Sequence, residues 1–201
     1  MPALRPLSLA ALAALTLTAP AGAQDLAGCF VRGGDPQAAA QRPSPLDAVS
    51  FQVGGEDAKL CYGRPKVNGR KIMGELVPFG TVWRLGANEA TSLHLRFAAE
   101  VGGVALEPGV YGVYAVPGES EWTFFLSRQW EVWGTQMGGA ATKADDVGSF
   151  TRKVAATDGM VEQFTISWMA HGEGMGHLVL EWENTRVEIP VHKAGMGHGS
   201  H

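Results

Sequence analysis

From about Ala48 onward, short stretches of alternating apolar and polar residues are separated by glycine-rich turns. The first two stretches, AVSFQV and AKLCYG, flank Gly54-Gly55-Glu56-Asp57, which predicts a β-hairpin. Further stretches follow along the chain: TSLHLRF, EVGGVAL, PGVYGVYAVPG, EWTFFLS, GSFTRKV, EQFTISWMA, HLVLEWE and RVEIPV. Without a convincing helical period, the pattern predicts an all-β domain over residues 46–192, an antiparallel β-sandwich of about nine or ten short strands.

The last three strands can be aligned from their patterns alone. A hairpin over His171–His177 and a second one at Asn184-Thr185 bring their apolar positions onto one face. That face consists of Phe164, Ile166, Trp168, Ala170, Leu178, Leu180, Trp182, Val187, Ile189 and Val191. A shift by one residue would move a whole strand's apolar set to the other face, so this register is strongly constrained.

The N-terminus has the organisation of a secretory signal peptide. Arg5 precedes an apolar run from Leu7 to Leu17, and Ala21-Gly22-Ala23 supplies small residues for cleavage after Ala23. No later apolar run approaches the length of a membrane span. We therefore expect a periplasmic or secreted protein with a signal peptide at 1–23, a linker or loosely held arm at 24–45 and a flexible Gly/His tail at 193–201.

Two cysteines leave two interpretations open. Leu26-Ala27-Gly28-Cys29 has the form of a bacterial lipobox, in which Cys29 would carry a lipid anchor to the envelope. Alternatively, Cys29 pairs with Cys61, because an even cysteine count in an exported protein favours a disulfide. Such a bond would stabilise the fold by roughly 3–4 kcal/mol in the chain-entropy model. The two interpretations exclude each other.

The charge balance argues against a nucleic-acid partner. The 201 residues include 16 basic and 20 acidic side chains, a formal net charge of -4, and no stripe of Lys or Arg interleaved with aromatic residues. Potential partners are therefore a small molecule or another component of the cell envelope.

Several segments resemble a known family of exported bacterial proteins, the domain-of-unknown-function 2911 family. They are YGRPKVNGRKIMGELVPFGTVWRLGANEATSLHLRF, LEPGVYGVYAVPGESEWTFFLS, FTISW and LVLEWENTRVEIPV. The match runs roughly from Arg42 to Val191, and Gly63 to Thr91 is its most specific part. The resemblance implies a signal peptide and an all-β domain, and it brings no established activity, substrate or cofactor.

The long connection between the second and third strands is dense in polar groups. Loops of this length over a β-sandwich often carry binding residues. An arginine suits a carboxylate or phosphate, and a neighbouring indole adds an apolar surface. The candidate ligand-binding residues are Arg64, Arg70, Trp83, Arg84, Asn88, Glu89 and, from a later irregular stretch, Trp130. The structural alternative is that the same groups satisfy the loop's own backbone, with an internal Arg84–Glu89 pair.

Histidines suggest a second kind of site. The predicted register places His171, His177 and His192 side by side at one end of a sheet, with Met175 in the intervening loop. Neutral imidazoles with a thioether suit copper or zinc. The alternative is that solvent-facing strand ends carry histidine by chance.

The sequence contains few features that indicate catalysis. The chain contains no G-x-S-x-G elbow, H-E-x-x-H pair or Gly-rich phosphate loop. The leading hypothesis is an exported β-sandwich that binds a small anionic or carbohydrate-like molecule, or a partner protein. Copper or zinc binding through the histidines is the second hypothesis, and an envelope hydrolase with no identified nucleophile is the third.

Overall fold

β-Strands account for about half of the described residues. The computed structural model describes residues 25–195, so the predicted signal peptide and the end of the predicted tail lie outside the described residues. The strands are β1 (Leu46–Val53), β2 (Glu56–Gly63), β3 (Thr91–Leu95), β4 (Ala99–Val101), β5 (Val104–Leu106), β6 (Gly109–Pro117), β7 (Glu121–Ser127), β8 (Asp146–Ala170) and β9 (Met175–Lys193). Short helical segments are α1 (Pro36–Ala39), a 3₁₀ turn (Gly134–Gln136) and α2 (Ala140–Lys143). The all-β prediction is confirmed.

The strands form antiparallel pairs in the order β1-β2-β3-β6-β7-β8-β9-β4-β5. The 25-residue strand β8 connects the two halves of this order. Its first part pairs with β7, from Asp146 to Lys153, and its remainder pairs with β9. Register shifts between Ala156 and Val161, and between Val161 and Thr165, mark an irregular region in its pairing with β9.

The two halves of the sheet face each other across a common core. Phe51 of β1 stacks on Trp168 of β8, with ring centroids 4.5 Å apart. The Tyr62 hydroxyl of β2 donates to the carbonyl of Ile166 on β8 and accepts from its N–H, at 3.3 and 2.9 Å. These contacts place β1 and β2 opposite β8, which is consistent with the layered arrangement of a sandwich.

The predicted register of the C-terminal strands agrees with the structure. Ile166 pairs with Leu180 and Trp168 with Leu178. The three apolar residues predicted for the last strand are also buried: Val187, Ile189 and Val191 are each at most 2% exposed. The prediction succeeded because only this register places the apolar face of each strand in the core, away from water.

Strand β9 turns back on itself. Its 19 residues would span about 60 Å if extended, yet Lys193 N donates to Gly174 O, which lies just before its other end, at 2.9 Å. Glu183 has a φ of +55°, the left-handed conformation found in tight turns. The reversal therefore lies near Glu183, close to the hairpin predicted at Asn184-Thr185.

The first hairpin also agrees with prediction. Val53 pairs with Glu56 across a two-residue turn formed by Gly54 and Gly55, whose φ values are +60° and +77°. Two successive positive φ values define the turn that best matches the twist of a hairpin, and glycine adopts them without steric cost.

The long connection between β2 and β3 packs by means of its own apolar side chains. Val67, Ile72, Val77 and Leu85 are all less than 10% exposed and belong to the main core. Trp83 forms an isolated antiparallel bridge with Ala115 of β6. The connection therefore covers part of the sandwich core and holds the polar residues between these anchors in defined positions.

The segment expected to be a linker or loosely held arm is instead packed against the domain. Leu26, Val31 and Ala39 are buried in a second cluster with Leu46 of β1 and the two cysteines. Helix α1 begins with Asp35, whose carboxylate accepts from Gln37 N, and with proline at its first position. The pattern gave no sign of this packing because irregular segments bury residues without a fixed period.

Candidate binding site around Arg84

Arg64 and Arg70 are engaged by the protein itself. Arg64 pairs with Asp47 at 2.8 Å and donates to Phe164 O and Thr165 Oγ1. Arg70 donates to the carbonyls of Lys66 and Val67. These two guanidinium groups hold backbone and neighbouring strands in place, and they do not converge with Arg84 on one pocket.

The side chains of Asn88 and Glu89 attach the long connection between β2 and β3 to the arm. Asn88 Nδ2 donates to Ser44 O at 3.0 Å. Glu89 is only 4% exposed, and both its carboxylate oxygens accept from Arg42 Nη1. The Arg84–Glu89 pair of the structural alternative is not formed, because Arg42 of the arm supplies the cation that neutralises Glu89.

The two candidate tryptophans lie in different environments. Trp83 is 9% exposed, stacks on Trp182 with centroids 5.8 Å apart and meets Trp122 edge-on. Trp130 is half-buried and packs edge-on against His94 and Phe30. Neither indole is a free platform for a sugar ring, although Trp83 also borders the cavity described next.

A cavity of about 300 Å³ opens beside Trp83 and Arg84. Its walls come from the long connection and from the segment around the 3₁₀ turn. The lining residues are Leu76, Val77, Pro78, Thr81, Val82, Trp83, Arg84, Gly134, Thr135 and Met137. Of the predicted ligand-binding residues, this cavity brings together Trp83 and Arg84.

Arg84 reaches this cavity by lying across Gly134. A Cβ atom at Gly134 would lie 2.1 Å from Arg84 Cδ and 2.7 Å from Asn88 O, so only glycine leaves room for the arginine stem. Gly134 N donates to Asn88 O at 2.9 Å, which fixes the two segments to each other. Gly134 was not predicted, since its close approach depends on tertiary packing.

The half-buried Arg84 side chain has one donor without a partner. Its Nε atom is buried and has no hydrogen-bond partner among the described residues. Burial lowers the pKa of Arg84, although an arginine remains charged at physiological pH. A buried donor that lacks a partner costs about 1–3 kcal/mol, so a small rearrangement that brings an acceptor oxygen to Nε would be stabilising.

Apolar side chains lie at the rim of the cavity. Leu76 and Val82, which both line the cavity, are 45% and 41% exposed. Phe79, between them in sequence, is 38% exposed. A cation surrounded by apolar surface suits an amphipathic anion, in which a carboxylate or phosphate is joined to a compact apolar group.

The histidine candidates only partly converge. The rings of His171 and His177 lie 4.4 Å apart, and His177 Nδ1 is 2.7 Å from Glu188 Oε2. His192 pairs in register with Glu100 of β4, while Met175 is 38% exposed. Across residues 25–195 no group of three or more His, Cys, Asp or Glu side chains is placed to hold a metal ion. Copper or zinc binding by this set stays a prediction.

Arg186 organises the surroundings of those histidines. It lies 2.7 Å from Glu181 and 2.8 Å from Glu188, so Glu188 bridges the arginine and His177. Arg186 and His177, in that order, lower the pKa of Glu188 by hydrogen bonding to its carboxylate. This arrangement already supplies Glu188 with partners on both sides.

A serine–histidine contact bears on the hydrolase hypothesis. Ser92 Oγ lies 3.0 Å from His94 Nε2, a distance suited to a nucleophile and its base. Ser92, however, is 1% exposed and pairs in register with Cys61, which the arm covers. A substrate could not reach the Ser92 hydroxyl without displacement of the arm.

The largest cavity described, of about 700 Å³, lies over the outer face of β1, β2 and β3. Lys59, His94 and Arg96 line it together with Asp25 and Asp57. Lys59 Nζ donates to Ala27 O and pairs with Asp25 at 3.3 Å. Sequence reasoning missed this cavity, because one side of it is formed by Asp25, Ala27 and Gly28 of the arm that was expected to be loosely held.

The disulfide interpretation of the cysteines agrees with the structure. Cys29 is bonded to Cys61, with Cα atoms 5.8 Å apart. A sulfur atom engaged in this bond is not available to carry a lipid, which favours this alternative over the lipobox. The bond is also compatible with an extracellular or periplasmic protein. No helix within residues 25–195 is long and apolar enough to cross a membrane.

The fold is that of an all-β domain, and the sequence places it in a family that has no assigned activity. The family described as "Protein of unknown function (DUF2911)" matches residues 44–191, and the chain belongs to it. No curated protein and no solved structure matches the chain. The matched range includes β1 to β9 almost completely and the cavity beside Arg84.

Proposed function

We propose that this protein is an exported binding protein of the cell envelope and that the cavity beside Arg84 is its ligand site. The ligand class is a small amphipathic anion, with a carboxylate or phosphate for Arg84 and a compact apolar group for Leu76 and Val82. The observation that carries the proposal is the buried Arg84 Nε atom, which lacks a partner among the described residues.

The size of the cavity limits the ligand. About 300 Å³ is at the lower end of the range for small-molecule sites, which is about 300–1,000 Å³. The fixed fork of a guanidinium binds two oxygens of one carboxylate or phosphate, which adds geometric selectivity to the charge. A short-chain carboxylic acid or a small phosphate ester fits both limits better than a polymer does.

Export is supported by two features that are independent of the cavity. The N-terminal sequence has the charge, apolar run and small residues of a signal peptide. The disulfide between Cys29 and Cys61 suits an oxidising compartment. An extracytoplasmic location would give the site access to ligands in the periplasm or the medium.

The test is a panel of short-chain carboxylates, their uncharged amides and small phosphate esters, screened by the shift in melting temperature. The variant Arg84→Met keeps an unbranched stem over Gly134 and removes the charge. The matched control is Arg128→Ala, since Arg128 is an exposed arginine outside the cavity. Stabilisation of the wild type and Arg128→Ala by an anion, with none for a folded Arg84→Met, supports the site. Equal shifts for all three proteins would refute it.

A further inference from the structure

A histidine lies against the disulfide that ties the arm to the domain. Cys29 belongs to the arm and Cys61 to β2, while His94 is on the neighbouring strand β3. The His94 Nε2 atom is 3.6 Å from Cys61 Sγ and 3.0 Å from Ser92 Oγ. Two sulfur atoms and one imidazole nitrogen therefore meet at one place in the fold.

With the disulfide intact, the described residues contain no group of three His, Cys, Asp or Glu side chains placed to hold a metal ion. We propose that reduction of this disulfide creates a metal site in which Cys29, Cys61 and His94 bind one zinc-like divalent ion. The site is distinct from the cavity beside Arg84 and from the His171–His177 pair. It takes a metal with affinity for thiolate and imidazole, and two thiolates with one imidazole are a known ligand set for zinc.

The positions of the ligands fit tetrahedral coordination. Metal distances of about 2.3 Å for sulfur and 2.0–2.1 Å for nitrogen place a thiolate and an imidazole nitrogen roughly 3.5 Å apart on a tetrahedral ion. Cys61 Sγ and His94 Nε2 already have a separation of 3.6 Å. The two sulfurs would lie roughly 3.7 Å apart on the same ion, and breaking the bond between them allows that separation.

The Nε2 atom of His94 is the ring nitrogen on the side of the disulfide, since it is the atom closest to both Cys61 Sγ and Ser92 Oγ. A neutral ring with its proton on Nδ1 offers the Nε2 lone pair on the side of Ser92 and Cys61. A metal would take that lone pair, with the Ser92 hydroxyl or a water at the fourth position.

Apolar residues enclose the cysteine side of this site, while His94 also borders the cavity of about 700 Å³. Leu26, Val31 and Leu46 pack in one cluster with the two cysteines. Trp130 covers His94 edge-on, with ring centroids 5.6 Å apart. An apolar shell of this kind strengthens metal–thiolate bonding and controls solvent access.

The chemistry of the conversion balances. A phosphine reductant and one water reduce the disulfide to two thiols, and the phosphine becomes a phosphine oxide. Binding one divalent ion then releases both thiol protons, because thiolates are the ligands. Two thiolates and one divalent ion have no net charge, so the filled site adds no uncompensated charge to this buried region.

The experiment uses the full mature protein, reduced with a phosphine, desalted without oxygen and titrated with cobalt(II). Tetrahedral cobalt with thiolate ligands gives visible and near-ultraviolet absorption, and zinc(II) then displaces it. We expect one cobalt per reduced protein, none for the oxidised protein, and at least about tenfold weaker binding for His94→Ala. Lys71→Ala, at an exposed position outside both histidine sites, serves as the control and should bind as the wild type does.

Folding is followed in parallel by near-ultraviolet circular dichroism. If His94→Ala does not fold, His94→Gln replaces it, because its amide keeps a polar group beside Ser92. A folded reduced protein that takes no cobalt would overturn the proposal. So would equal cobalt affinity in the wild type and the His94 variant, or loss of the native structure on reduction.

Discussion

Arg42 of the arm neutralises Glu89 of the long connection. Arg42 Nη1 lies 2.9 and 3.0 Å from the two carboxylate oxygens, and Arg32 N also approaches Glu89 Oε1 at 3.4 Å. Glu89 is 4% exposed and Arg42 is 33% exposed. The carboxylate is therefore buried with its main partner 47 residues away in sequence, and the arm is part of the domain's ionic structure.

Replacement of Arg42 should destabilise the protein. Arg42→Ala leaves the buried Glu89 carboxylate without its cation, at a cost of about 2–3 kcal/mol. Urea unfolding measures the change. The matched control is Lys71→Ala, which breaks the exposed Lys71–Glu75 pair and should cost less than about 0.5 kcal/mol. Equal losses in the free energy of unfolding for the two variants would show that the Arg42–Glu89 pair does not stabilise the fold.

The Tyr62 hydroxyl connects the two layers, so Tyr62→Phe should also reduce stability. It leaves the Ile166 N–H and C=O without this partner, at a cost of about 1–3 kcal/mol. Tyr111→Phe is the comparison, since the Tyr111 hydroxyl makes one local hydrogen bond to Glu107 O at 2.8 Å. The free energy of unfolding should fall more for Tyr62→Phe. The reverse order would contradict the role of Tyr62.

Stability should depend on pH through Tyr62 at alkaline pH. Burial, with a contribution from the negative charge of Asp47, raises the pKa of Tyr62 to about 12, against an ordinary value of 10.0. Between these values the folded protein keeps the proton and the unfolded chain releases it, so stability is lost as pH rises. The difference in unfolding free energy between wild type and Tyr62→Phe should therefore shrink above pH 10. A constant difference would contradict the shift.

Gly134→Ala tests the packing beneath Arg84. The new Cβ would lie 2.1 Å from Arg84 Cδ and 2.7 Å from the backbone atom Asn88 O, and the backbone cannot yield easily. We expect a loss of about 1–3 kcal/mol and weaker ligand binding. Gly159→Ala is the control, because a Cβ there meets nothing within 4 Å. Differential scanning calorimetry should show a lower melting temperature only for Gly134→Ala.

The strands could be predicted because burial imposes a period on them. Phe164, Ile166 and Trp168 alternate with polar residues, and their partners on β9 follow the same rule. The Gly54-Gly55 turn was predicted because two adjacent positive φ values strongly favour glycine. In both cases a local rule and the global packing select the same residues.

The polar contacts could not be predicted in this way. One alternative paired Glu89 with Arg84, five residues away, whereas its partner Arg42 lies in an arm that shows no period. The cavity beside Arg84 depends on Met137 and Gly134, which come from beyond β7. The contact between His94 and Cys61 was not predicted, because it depends on the pairing of β2 with β3. A single sequence does not specify such contacts between distant segments.

The most direct measurement is calorimetric titration of the mature protein with the tightest-binding carboxylate of the panel and with its uncharged amide. Wild type and the Arg128→Ala control should prefer the carboxylate by at least about tenfold, or 1.4 kcal/mol. Arg84→Met should lose this preference while its melting temperature remains close to that of the wild type. Identical affinities for acid and amide in the wild type, or an unchanged preference in folded Arg84→Met, would contradict a binding site built around Arg84.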